Sequence, residues 1–257
     1  MLQILACYKW VIDQADIKTA PGSRELQLER AAYRISDYDR FAIEEAVSLQ
    51  EKYGGNTAVI TAGSSGARKS LKDVLSRGPE KAYFVHDESF DRLEPSQTAL
   101  ILAEAISAQV NYDLIICGEG SGDLYAQQVG PRLAESLGIS CATGVSKLSI
   151  DLDNKQIIAE RKVEEGIEVL AIPLPALVTV LPEINSPRIP GLKDTLAASK
   201  KPVIEIKGTE LGKEFVPCLQ TISILASTME RNGVKFEADA DGIHKFVELV
   251  LKSGVGN

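Results

Sequence analysis

The sequence predicts an α/β fold: a doubly wound, mostly parallel sheet with helices on both faces, extended by a β-hairpin and followed by an irregular C-terminal arm. Three observations carry this expectation. Short apolar runs alternate with longer amphipathic segments through the first half; the stretch Tyr112 to Arg132 passes from an apolar run into a glycine-rich turn; and from Val145 to Val180 the pattern changes to the two-residue period of strands.

In chain order, Gln3 to Tyr8, Thr57 to Ala62, Lys81 to His86 and Tyr112 to Cys117 read as strands. Helices are predicted at Asp39 to Tyr53, Ala67 to Arg77, Pro95 to Gln109 and about Tyr125 to Leu137. In the first of these, Ala42, Ile43, Ala46, Val47 and Leu49 form an apolar face opposite Glu44, Glu45, Gln50 and Glu51, while Gly54, Gly78 and Gly138 supply helix stops. Such alternation favours parallel strands with ligands bound outside their carboxyl ends. The strand-rich stretch that follows has turns at Asp153-Asn154 and Glu164-Glu165-Gly166 and extends the sheet. Residues Glu183 to Pro202 are proline-rich and read as an ordered excursion, and Ala240 to Lys252 reads as a short amphipathic helix through Ile243, Phe246, Val247 and Val250. The domain reading is therefore a nucleotide-binding unit at 1–182, an excursion at 183–202 and an arm at 203–257.

The turn after the fourth strand holds the candidate site. Leu114 to Cys117 suit a strand buried on both faces, and Gly118, Gly120 and Gly122 let backbone N–H groups approach an anion while the next helix adds its positive end. Asp123 is a candidate cap for that helix, and it occupies the position where a dinucleotide fingerprint would place a third glycine. An ordinary strand-to-helix turn remains the alternative at this point.

Composition narrows the functions. A net charge of −8 argues against nucleic-acid or anionic-membrane binding. Cys7, Cys117, Cys141 and Cys218 lack metal or redox spacing, and the two histidines, His86 and His244, give little support to metal or nucleophilic chemistry. With no apolar stretch of membrane-spanning length and no signal-peptide pattern at MLQILACYKW, a cytoplasmic location is expected.

Several motifs bear a family resemblance. AERKVEEGIEVLAIPLPALVT, with CYKWVID at Cys7 to Asp13, ISDYDRFAIEEA at Ile35 to Ala46, DVLSRGP at Asp73 to Pro79 and INSPRIP at Ile184 to Pro190, resembles the β-subunit of electron transfer flavoproteins over about residues 1 to 202. The likeness is greatest to the Fix branch associated with carnitine or fatty-acid metabolism. The resemblance implies an electron carrier without catalytic side chains of its own. It would pair with an FAD-carrying α-subunit and relay electrons between an acyl-CoA-type dehydrogenase and a quinone oxidoreductase or ferredoxin-like partner.

The resemblance also implies AMP in the β-subunit, or a second FAD if the protein bifurcates electrons; Gln128-Val129-Gly130-Pro131 matches the bifurcating pattern. Carried over by motif, the cofactor-binding residues are Cys7, Ser36, Ala62 and the run Ser121, Gly122, Asp123, Leu124, Tyr125, Ala126, Gln127, Gln128, Val129, Gly130, Pro131 and Arg132. Leu192, on the excursion, corresponds to the leucine that the family inserts into its dehydrogenase, and the arm would pack on the α-subunit. The competing readings are a stand-alone adenine-nucleotide-binding regulatory protein and a nucleotide hydrolase. The hydrolase would have to work without a P-loop lysine.

Overall fold

A computed structural model describes residues 1–219, 221–227 and 233–253. The parts of the expected C-terminal arm at 220, 228–232 and 254–257 lie outside the described residues. Two compact units result, one comprising 1–18 and 27–223, the other 19–26 and 224–257.

The strands in order are β1 (Gln3–Cys7), β2 (Trp10–Ile12), β3 (Lys18–Thr19), β4 (Leu26–Gln27), β5 (Tyr33–Ile35), β6 (Asn56–Gly63), β7 (Lys81–His86), β8 (Leu114–Gly118), β9 (Ser140–Asp151), β10 (Gln156–Val163), β11 (Gly166–Pro173), β12 (Ala176–Val180) and β13 (Val203–Lys207). The helices are α1 (Asp37–Tyr53), α2 (Leu71–Ser76), α3 (Pro95–Gln109), α4 (Val129–Leu137), α5 (Leu192–Ala198) and α6 (Ala240–Lys252).

The nine-stranded sheet runs β11-β10-β9-β12-β8-β1-β6-β7-β13. From β9 across to β13 every pair is parallel, and β10 and β11 add an antiparallel meander at one edge. The alternation along each strand divides the core into two layers. Ile4, Ala6, Val59, Leu114 and Ile116 pack against Ala42, Ile43, Ala46 and Leu49 of α1 and against Val74 and Leu75 of α2. Leu5, Cys7, Ile60, Ile115 and Cys117 face the opposite side, against α3 and α4 through Ile101, Leu102, Ile106 and Leu133. Helices on both faces of a mostly parallel sheet are the doubly wound arrangement the sequence predicts.

Three differences bear on the site. The helix expected from about Tyr125 starts at Val129, because Tyr125 and Gln127 adopt positive φ of 47° and 56°, which a right-handed helix excludes. Pro131 is tolerated as the third helical residue, where no N–H is needed for an intrahelical bond. The segment from Ala67 begins as a 3₁₀ turn, Ser65–Ser70, and becomes α-helix only at Leu71. Val203 to Lys207, the first residues assigned to the arm, form the edge strand beside β7.

The second unit carries α6, capped by Asp239, whose side chain accepts the Gly242 N–H at 2.7 Å. Phe236 meets Phe246 edge-on with ring centroids 5.8 Å apart, while Ile243, Val247, Leu249 and Leu251 stand exposed.

Candidate nucleotide site at the sheet switch point

The chain leaves β1 toward β6 and β7 on one side and returns at β8 on the other, so the strand order reverses between β1 and β8. Crevices at such reversals, beyond the carboxyl ends of the strands, are where open α/β sheets bind ligands. Cys7 ends β1 and Gly118 ends β8, with Ala6 opposite Ile116. Of the sequence-derived residues, Cys7, Ser36, Gly122 and Asp123 belong to the network around this reversal, whereas Ala62 sits near the end of the neighbouring strand β6. Leu192, 78 % exposed, opens α5 on a separate segment.

The loop after β8 is pinned from below. Ser36 precedes α1, but its hydroxyl accepts the Gly122 N–H at 3.2 Å and makes no cap bond to its own helix. Asp39, on the first turn of α1, accepts the Lys9 N–H at 2.7 Å and is also bonded by the Gly118 amide. A Cβ at position 118 would lie 2.6 Å from Asp39 Oδ1 and 2.8 Å from the Tyr38 carbonyl carbon, so only glycine permits this approach. Burial raises the Asp39 carboxyl to about 7, against the pull of those bonds and of the Lys9 charge.

Above this base, polar side chains cross the loop. Lys9 Nζ donates to Asp123 Oδ2 at 2.6 Å, the Gln14 amide donates to the Gly122 carbonyl, and Gln127 donates to Glu119 at 2.7 Å. Burial opposes ionisation of Asp123, yet Lys9 outweighs it and holds the carboxyl below its ordinary range. Asp123 also accepts the Leu124 N–H at 2.9 Å; it does not cap α4, which begins at Val129 behind Gln128. Tyr125 folds over Gly120, where a Cβ would meet its ring at 2.6 Å, and packs on Tyr38 with centroids 5.0 Å apart. A cavity of about 230 Å³, lined in part by Val11, Gln14, Arg34 and Gly122, adjoins this network.

Among the described residues, the amides of Ser121, Asp123 and Ala126 to Val129 have no acceptor within the chain. Free N–H groups at a glycine-rich turn and a helix start are the kind of donors that can approach an anion, and the Lys9–Asp123 ion pair lies beside them. Gly130 serves packing: a Cβ there would meet Thr179 Cγ2 at 2.5 Å, so its absence lets α4 lie close on β12. Gln128 accepts from Arg132 Nε at 3.1 Å within the same helix. Cys7 and Cys117 are buried free thiols, and hydrogen bonding between them, then burial, drives the Cys117 thiol well up.

Sequence reasoning missed Asp39, Lys9 and Gln14. Asp39 lies within the motif ISDYDRFAIEEA, from which only Ser36 was assigned to the site, and its signal was a carboxylate placed where α1 should turn its buried face inward.

The fold is that of an α/β protein of the doubly wound type. The electron transfer flavoprotein domain matches residues 26–211. The chain belongs to that family, whose members work as electron carriers in flavin-linked electron transfer.

Proposed function

We propose that this chain is the β-subunit of an electron transfer flavoprotein of the Fix-type branch. In this reading it pairs with an FAD-carrying α-subunit and relays electrons between an acyl-CoA-type dehydrogenase and a quinone-linked or ferredoxin-like acceptor, in carnitine or fatty-acid metabolism, in the cytoplasm. The observation that carries the reading is the set of unpartnered amides at the strand reversal of a chain that belongs to this family. No described helix is long and apolar enough to cross a membrane.

The adenine nucleotide proposed for this subunit, AMP or a second FAD, suits this donor set. The free amides of Ser121, Asp123 and Ala126 to Val129 at the α4 N-terminus would take its phosphate, while Cys7, Ser36 and Ala62 would supply the floor. Bound flavin supplies the redox chemistry of such a complex. The chain's own part is to bind, orient and shield. Lys9 and Gln14, which here bond Asp123 and Gly122, would turn toward the ligand.

The segment 183–202 would present Leu192 to the dehydrogenase, and the exposed apolar residues of α6 would pack on the α-subunit. Co-expression with the candidate α-subunit, followed by acid release and chromatography of the bound cofactors, tests this. FAD together with AMP, or FAD at twice the stoichiometry, supports it; a stable pair of chains carrying neither nucleotide overturns it.

A further inference from the structure

A second cleft, of about 450 Å³, lies between the start of α1, the end of α2 and the segment Pro187 to Pro190. Its walls combine Phe41, Pro187 and Ile189 with Arg40, Arg77 and the carboxylate-bearing Asp37. Arg188 also borders it, but that side chain is spent: Nε and Nη2 donate to Glu44 at 2.9 Å, and Nη1 and Nη2 donate to Glu51 at 2.8 and 3.0 Å.

Arg40 and Arg77 are under-used by comparison. Arg40 Nη1 lies 3.1 Å from Asp37, which also pairs with Arg34. Arg77 donates to Asp73 at 3.0 Å and reaches the Arg188 carbonyl only at 3.4 Å. The Nε atoms of both are buried with no partner among the described residues. Burial, then repulsion from Arg34 and Arg77, holds Arg40 below the ordinary guanidinium range despite Asp37 and Asp73. The two buried Nε atoms lie out of reach of the cleft; what it offers an anion is the guanidinium ends of Arg40 and Arg77, each engaged by one carboxylate, against the single lining carboxylate of Asp37.

We propose that this cleft binds a small oxoanion, a phosphate that is either free or the head group of a small phosphomonoester, through Arg40 and Arg77. A phosphate can accept from two guanidinium edges at once and offset both charges, which a carboxylate does less completely. Phe41, Pro187 and Ile189 limit water around it. The site shares none of the residues assigned to the nucleotide loop, although Asp37 lines both this cleft and the cavity beside that loop. Because Arg77 also touches the Arg188 carbonyl, an occupied cleft would brace the segment that leads to Leu192.

The test is a site-resolved NMR titration of the full chain with inorganic phosphate, with sodium chloride at matched ionic strength as control and with acetate and AMP as further arms. The expected result is a saturable shift at Arg40, Phe41, Arg77 and Ile189 with a midpoint of about 1 mM, the weak end of specific binding. Arg77→Gln should weaken it about tenfold, the loss of one charge-assisted contact. Arg40→Gln repeats the test on the other side of the cleft should Arg77→Gln fail to fold.

Saturation of the same residues by AMP assigns a phosphomonoester as ligand, and AMP shifts confined to 119–132 assign free phosphate. Shifts that chloride reproduces, acetate saturating more tightly than phosphate, or phosphate binding unchanged in both variants would overturn the site. Failure of AMP to bind at 119–132 bears on the nucleotide reading alone.

Discussion

Two irregular segments, the loop at 119–128 and the strap at 183–191, are held in opposite ways. The strap is locked from the inside. Arg188 bridges Glu44, which is nearly buried, and Glu51, and Asn185 donates to the Phe41 carbonyl and to Glu45 at 3.0 Å. Ile189 of the strap and Leu192 and Leu196 of the following helix face outward. The loop has a fixed base at Gly118, Asp39 and Ser36, but its crossing bonds come from partly exposed side chains that a ligand can replace. The difference teaches where adaptability resides: the strap presents a preformed surface, whereas the loop leaves several amides without a partner among the described residues.

The largest expected effect lies in the strap. Arg188→Ala removes the partner of the nearly buried Glu44 and should cost about 3 kcal/mol in urea unfolding, as breaking a sheltered ion pair does. A loss under about 1 kcal/mol would erase the contrast between the two segments.

Next comes the loop's buried carboxylate. Asp39 has a folded-state value of about 7, above the ordinary 3.8, so between those values the folded chain holds a proton that the unfolded chain has released. Its contribution is thus fully present below the lower value and is lost as pH rises through the upper one. Asp39→Asn, which cannot ionise, should gain about 2 to 3 kcal/mol relative to the native chain between about pH 5 and pH 8. Parallel stability curves for the two proteins would refute the burial argument.

Gly118→Ala tests the fixed base sterically. Its methyl would strike backbone and carboxylate atoms of α1 within 3.0 Å, and a loss of about 1 to 3 kcal/mol is expected, with weaker nucleotide retention. The smallest effect sharpens the comparison from the other side. Lys9→Ala breaks a pair whose side chains are 37 % and 31 % exposed and should shift stability by no more than about 0.5 kcal/mol. Leu192→Ala should leave stability similarly untouched while slowing electron transfer from the dehydrogenase; unchanged transfer would remove the strap's assigned role.

Much of this was legible in the sequence, for identifiable reasons. Lys81 to His86, Pro95 to Gln109 and Ala240 to Lys252 coincide with observed elements because their periodicity and end signals are strong and local. The antiparallel meander was legible from its two turns. The start of α4 was not, since nothing local announces that Tyr125 and Gln127 take positive φ; Tyr125 is held over Gly120 and against Tyr38, which is distant in sequence. Strand β13 was missed because five residues at a sheet edge carry little pattern of their own. The switch point was readable as strand, glycines and helix, but Asp39 beneath it depends on α1 approaching the end of β8, a contact between residues far apart in sequence.

The most direct test is hydrogen exchange on the chain co-purified with the proposed α-subunit, before and after the proposed adenine nucleotide is stripped. The account predicts that removal increases exchange at 119–132 while the strap at 183–191 stays unchanged. Equal exchange at 119–132 in the loaded and stripped complexes would contradict it.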